Sequence, residues 1–560
     1  MASQDTTFID LSAMPRPDDT TTTTEQSSSA TKSAARGTLV TILLRLVSFL
    51  CTQWTFRRLD GDPTVLGQTS IQLELVLTTV LFISREGFRL ALTRNISDDN
   101  WNVAWLSIPV VTAVAAAALL WHAVVATTTN TMTPDYWYGG ILYCTASAIE
   151  GWGEPAVLYA LRQMNVALKA SAEGAATVAK TIATVTLLQV LPEQPIMAFG
   201  LSQVLYACTY TGLLYLRTAR HLPAPVLSLS SSWHGPTCRL TLVFTVQGLF
   251  KHFLTEGDRF VLSALSNNYQ QGVYAMGAAY GGLAARLFLQ PLEENARLLW
   301  SRLAVGQSPK STKQQQQQQN RWLEDSYTVL VKAVFYLGLI FSCIAVHYTG
   351  ILLHILAGRK WGSNPEAAAV LSAFCVYTAF LACNGMTEAF VYAVASTASD
   401  MGRMGAVHTS VGLVFAVTAA WAVQSHGTLG LVAANCLAMA LRTMYSVQYA
   451  ARYFYRSNHD ESIGKSSSSL GVALGRLLGH MLPHAAVWIA FGSSWAVTRT
   501  SLSYFEQQGT APGSLPWWRG AVTHVGVGVA CAVGTLSLAF ALEKSFRRTT
   551  VALYKGNKLD

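Results

Sequence analysis

Apolar residues run through this chain in long continuous stretches, rather than in the alternation of a half-buried strand or the one-sided stripe of a surface helix. Val103 to Val125, Thr181 to Leu191, Val411 to Val423 and Val522 to Leu542 contain no Lys, Arg, Asp or Glu. The longest of these match the roughly 20 residues that cross about 30 Å of hydrocarbon as a helix. A barrel would instead need alternating segments of about ten residues, and the backbone's demand for internal hydrogen bonds in lipid then leaves helices. Polar residues, Gly and Pro punctuate about fourteen candidate spans. They cover residues 38–58, 68–90, 102–126, 137–161, 170–191, 196–217 and 238–264. A second set covers 272–300, 326–349, 366–394, 403–424, 428–454, 470–496 and 517–542.

Composition agrees: of 560 residues, 51% are hydrophobic and 12% charged, about half the charged share of a soluble protein. A charge at the bilayer centre costs about 2.5 to 3.5 kcal/mol on insertion scales, so lipid selects such runs. The net charge of +9 fits basic cytosolic loops and is not read as nucleic-acid binding. Arg217, Arg220 and Arg239, then Arg302, Lys310, Lys313 and Arg321, then Arg452, Arg456 and Lys465 occupy alternate connections. An even number of spans therefore predicts both termini in the cytosol, with Arg57, Arg58, Arg359, Lys360 and Arg499 as exceptions on the far side.

The expected organisation is a disordered cytosolic tail over 1–36, a first lobe of six spans over 37–220, and an inter-lobe loop over 221–237. A second six-span lobe covers 238–456, a loop 457–469, two further spans 470–542 and a basic tail 543–560. Within the second lobe, Gln314 to Gln319 reads as a flexible stretch of a cytosolic loop over 303–325. The Asn95-Ile96-Ser97 sequon falls on a cytosolic loop and is expected to be unmodified. The nine scattered cysteines read as reduced packing residues.

An internal repeat supports two related lobes. Glu86-Gly87-Phe88-Arg89-Leu90-Ala91-Leu92-Thr93-Arg94 aligns without gaps on Glu294-Asn295-Ala296-Arg297-Leu298-Leu299-Trp300-Ser301-Arg302. The offset of six spans gives both halves one orientation, related by an axis along the membrane normal, as in two-lobed transporters.

The densest polar cluster is Phe250-Lys251-His252-Phe253-Leu254-Thr255-Glu256-Gly257-Asp258-Arg259. At helical spacing Lys251, Thr255 and Asp258 share a face, and the cluster is either a functional site or a structural ion-pair network. Ser84-Arg85-Glu86-Gly87-Phe88-Arg89 is either a phosphate-binding group or a headgroup anchor. Arg85 and Arg89, one turn apart, need a bound anion or Glu86 to relieve their repulsion. Arg45, Glu74, Glu150, Glu154, Lys180, Arg286, Glu388 and Arg442 are further intramembrane charges spread over both halves, which suits a central cavity between lobes. Gly277 and Gly281 form a small-residue packing face. Walker, zinc-protease and nucleophile-elbow motifs were sought and not found. Asp60 and Asp62, before Pro63, form an acidic pair that suits a turn better than a lipid-linked glycosyltransferase. No cofactor or metal is expected.

The Phe250 to Arg259 stretch resembles the signature of the Rft family, endoplasmic-reticulum proteins of N-linked glycosylation, as does Gln72 to Ala91. Asn384 to Glu388 and Ala434 to Arg442 are weaker echoes. The resemblance implies an all-helical membrane fold similar to the MOP flippases, with two six-helix lobes and two extra C-terminal helices. It also implies an endoplasmic-reticulum location and, as partner, the dolichyl-diphosphate glycan of five mannoses and two N-acetylglucosamines. Two roles remain open: moving that lipid from the cytosolic to the lumenal leaflet, or binding it as a non-transporting accessory of glycosylation. Arg85, Arg89, Lys251 and Arg259, with Arg45, Lys180, Arg286 and Arg442, are expected to meet the diphosphate or glycan. Glu74, Glu86, Glu256, Asp258 and Glu388 are expected to hold those cations or carry a coupling proton.

Overall fold

The computed structural model describes residues 53–55, 57, 62–94, 101–129, 133–163, 165–224, 235–305, 313–395, 397–456, 469–509 and 511–555. The N-terminal tail, Arg45, Asp60 and the sequon lie outside them. The chain divides into two units at Thr52, and the described residues all belong to the second, Gln53–Asp560.

Among the described residues every regular element is helical, as lipid requires of a chain that spans it by single segments. Helices α1 (Pro63–Gly67) and α2 (Glu74–Arg94) are joined by a π-helical turn, and α3 (Trp101–Trp105) leads into α4 (Ser107–Thr129). Next come α5 (Pro134–Trp152), α6 (Glu154–Arg162), α7 (Val166–Val190) and α8 (Pro195–Thr218). The second half contains α9 (Gly235–Thr255), α10 (Gly257–Leu265), α11 (Asn268–Ala284), α12 (Gln290–Val305) and α13 (Lys313–Cys343). It continues with α14 (Thr349–Leu356), α15 (Arg359–Gly362), α16 (Pro365–Val394) and α17 (Ala398–Arg456). Then α18 (Ser469–Met481), α19 (Ala485–Gln507), α20 (Leu515–Leu542) and α21 (Lys544–Lys555) follow.

Among the described residues, seven helical runs are long and apolar enough to cross a membrane: Pro63–Thr93, Trp101–Val124, Pro195–Thr218, Gln317–His347, Pro365–Val394, Ser399–Tyr455 and Leu515–Leu542. Ser399–Tyr455, at 57 residues, is long enough for two crossings of roughly 20 residues each. It breaks at Gly427, whose φ of 59° is strained for any residue with a Cβ. Large apolar side chains such as Leu120, Trp121, Leu216, Trp421 and Ile489 are exposed, as the lipid face of a membrane protein demands.

Three expectations change. Gln314 to Gln319 is not a flexible stretch but the opening turns of α13. Gln is a good helix former, the apolar residues that follow supply a propagating helix, and Gln319 Nε2 donates to the Leu303 carbonyl at 2.7 Å. The span expected over 470–496 is divided, because α18 stops at Met481 and α19 starts only at Ala485 after a His484 cap. The shared face of Lys251 and Asp258 is interrupted, since Glu256 leaves helical geometry (φ −99°, ψ 13°) between α9 and α10.

The two halves meet through close helix contacts, α1 against α11 and α2 against α9. At the first, an added Cβ on Gly272 would run into the Pro63 carbonyl, and one on Gly67 into that of Asn268. Gln72 Nε2 donates to Asn268 Oδ1 at 2.9 Å beside it. Asp62 accepts from the Thr64 amide at 2.8 Å and caps α1, the turn role expected of it. Gly277 and Gly281 both abut Phe374 of α16, which is packing. The eight described cysteines are unbridged; Cys144 is buried and Cys208 exposed.

Candidate functional site

The intramembrane charges divide into those neutralised by a partner and those left open. Arg85 and Arg89 stand one turn apart on α2, and Glu150 and Glu154 four residues apart across the α5–α6 junction. Arg85 Nη1 lies 2.9 Å from Glu150 Oε1. Arg89 donates from Nε to Glu154 Oε1 at 2.5 Å and from Nη2 to Oε2 at 2.8 Å, the two-pronged geometry that suits a guanidinium. The junction makes this possible. α5 ends at Trp152, Gly153 breaks the helix, and Pro155 at the first turn of α6 restarts it, with Glu154 at its positive end. Glu150 is 8% and Glu154 2% exposed. The repulsion of Arg85 and Arg89 is thus relieved chiefly by two carboxylates some 65 residues away. In the sequence Glu150 and Glu154 stand out as intramembrane charges, each a cavity group or a helix-to-helix contact, and the structure makes them helix-to-helix contacts.

The Lys251 to Arg259 stretch is also partly tied up. Arg259 Nη1 pairs with Glu256 Oε2 at 3.0 Å. Asp258 Oδ2 accepts from the Tyr274 hydroxyl at 2.7 Å, which in turn accepts from Asn435 Nδ2 at 3.3 Å, so Asp258 links α10 to α11 and α17. His252, buried, bonds Thr79 at 2.9 Å and stacks on Phe82, holding α9 to α2. Lys251 is exposed and has no ion pair among the described residues.

Glu74 and Lys180 are half-buried and have no ion pair among the described residues, with Glu74 in electrostatic reach of both Glu150 and Glu256. Arg286 lies on the π-helical turn Ala285–Leu289 between α11 and α12, its side chain outside the described set.

The second half differs. Glu388 Oε1 lies 3.0 Å from His408 Nε2, in a geometry that falls short of a hydrogen bond. The Glu293 carboxylate packs on Gly385, where an added Cβ would collide with it. Arg442 Nε, Ser446 Oγ and Asn384 Oδ1 are buried without a hydrogen-bond partner. A buried, unsatisfied guanidinium nitrogen is costly unless something binds it. Glu293, Ser446 and the Oδ1 of Asn384 are additions to the expected set. Glu293 adjoins the repeat by one residue, which is the signal that could have found it. This collection can bind an anion at Arg442 and hydrogen-bond donors at the carboxylates.

The sequence matches the model of the Rft protein family over residues 29–552. It is 26% identical over 539 residues to the Man(5)GlcNAc(2)-PP-dolichol translocation protein RFT1 of Mus musculus, covering 91% of this chain and 94% of that one. It is 29% identical over 489 residues to the protein of the same description from Yarrowia lipolytica, covering 75% of this chain and 70% of that one. Among solved structures it is similar to the lipid II flippase MurJ in its inward closed conformation, with TM-score 0.55 and 9% identity, over 90% of this chain and 99% of that one. It is also similar to an inward-facing multidrug resistance MATE family transporter of the MOP superfamily, with TM-score 0.53 and 10% identity, over 74% of this chain and 96% of that one. At such identities the likeness shows the fold.

Proposed function

Because the chain belongs to the Rft protein family, we propose that it is a membrane translocation protein, not an enzyme, and that it carries Man5GlcNAc2-diphosphate-dolichol from the cytosolic to the lumenal leaflet. The relatives' descriptions name that lipid, and the fold is that of lipid flippases and transporters. In this reading the fourteen spans form two six-helix lobes with two C-terminal helices, in the endoplasmic-reticulum membrane, with both termini cytosolic.

The observation that carries the assignment is Arg442, a guanidinium within the membrane whose Nε is buried and unpartnered. A diphosphate cannot enter hydrocarbon without cations and polar partners, whereas the polyprenol gains nothing by leaving it. Arg442 receives the diphosphate, with Lys180 and Lys251, which have no ion pair among the described residues, as further cations on its path. Arg85 and Arg89, neutralised by Glu150 and Glu154, build the wall, and Arg259 is restrained by Glu256.

The test is translocation of the dolichyl-diphosphate oligosaccharide by purified protein in sealed vesicles. Arg442→Ala is expected to lower the rate at least about tenfold while the protein stays folded, since a charge-assisted hydrogen bond contributes about 1.5 to 3 kcal/mol. An unchanged rate removes Arg442 from the path. Lipid bound but not moved by the unaltered protein supports the accessory role instead.

A further inference from the structure

The two halves share one register but carry opposite polarity on it. In the gapless repeat Glu86 aligns with Glu294, so Glu293 stands at the position of Arg85. Where Arg85 meets Glu150, Glu293 meets α16 at Gly385 and has Glu388, another carboxylate, in electrostatic reach. Tyr377, Leu381, Asn384 and Glu388 follow one another at four, three and four residues and share a face of α16. Arg442 of α17 is in electrostatic reach of Tyr377 and of Tyr392, one turn beyond Glu388. It therefore lies alongside that face, on which Asn384, only 5% exposed, keeps its Oδ1 without a partner among the described residues.

Apart from His408 beside Glu388, this surface offers hydrogen-bond acceptors short of donors. A phosphate is itself an anionic acceptor and is repelled by Glu293 and Glu388, so it belongs at Arg442. Among the described residues the carboxylates do not converge with other groups as a metal-ligand set. Sugar hydroxyls both donate and accept without charge, and they suit paired carboxylates and an amide oxygen. We infer that Glu293, Asn384 and Glu388 form the sugar-recognition wall of the second half, accepting hydrogen bonds from the glycan beside a diphosphate held at Arg442. The inference rests on the translocation reading above and deepens it.

The experiment measures binding of two lipids to the full-length protein in nanodiscs: dolichyl diphosphate bearing Man5GlcNAc2, and dolichyl diphosphate without sugar. Glu293→Gln and Asn384→Leu are compared with the unaltered protein, each with its thermal unfolding midpoint recorded. The expected result is glycan-lipid binding weakened at least about tenfold, sugar-free lipid binding unchanged, and the midpoint retained. Equal losses for both lipids, or no loss for either, overturn the sugar assignment and leave the translocation reading standing. Unchanged binding of both lipids with slowed translocation assigns the carboxylates to driving the transport cycle and also overturns it. If the unaltered protein binds neither lipid, the translocation reading falls and the inference falls with it.

Discussion

Arg85, Arg89 and Arg442 are alike as residues and different in circumstance. The first two are held by carboxylates that are 8% and 2% exposed, so removing one arginine strands a buried negative charge. Arg89→Gln is accordingly expected to destabilise the protein by about 3 to 5 kcal/mol, seen as a lowered unfolding midpoint and reduced abundance. Replacing Arg89 and Glu154 together by apolar residues of similar volume should recover most of that loss. An Arg89→Gln protein of normal stability with lost lipid binding would falsify the structural role and return Arg89 to the substrate path. All of these residues could be named from the sequence, because a charge inside an apolar run is conspicuous. Their partners could not, since Arg85 and Glu150 are 65 positions apart and only packing of α2 on α5 brings them together. Arg57, an exception to the expected loop-charge pattern, has a similar explanation: it donates to the Ile355 carbonyl and, at 3.1 Å, to that of Leu356. Arg57 thus satisfies open carbonyls at the end of α14.

At the scale of elements, long apolar runs disclosed where helices lie but not where they break. Gly153 and Glu256 each interrupt a run that reads as continuous, and both breaks place a carboxylate of the site, whereas the break at Gly427 falls in the connection expected between 403–424 and 428–454. Periodicity cannot show this, because apolar residues on both sides of a break satisfy lipid equally well. Close helix contacts are likewise tertiary. Gly272 opposite Pro63, and Gly67 opposite Asn268, allow α1 and α11 to approach backbone to backbone. Gly272→Leu should force them apart at a cost of about 1 to 3 kcal/mol or more, measured as a lower midpoint for extracted protein, whereas the same change at Gly475, which faces open space, should leave it unaltered. Equal effects at both sites would show that close approach is not what Gly272 provides.

For the whole molecule, the α1–α11 contact joins the halves at the end of the membrane predicted to be lumenal, and a transporter must open it to release substrate there. Gln72 and Asn268, hydrogen-bonded at 2.9 Å, offer a place to lock it. With Gln72→Cys and Asn268→Cys joined by a short reducible cross-linker, lipid binding should persist and translocation should stop, returning on reduction. Translocation unaffected by a completed cross-link would exclude opening at this contact. The sequence by itself determined the membrane class, the helical state and the family, because these follow from local solvation, backbone hydrogen bonding and motifs carried along one chain. Only the tertiary structure decided which charges are neutralised and which remain open to a ligand. An ion pair in low dielectric depends on a few tenths of an ångström between side chains from distant helices, and no local pattern encodes that distance.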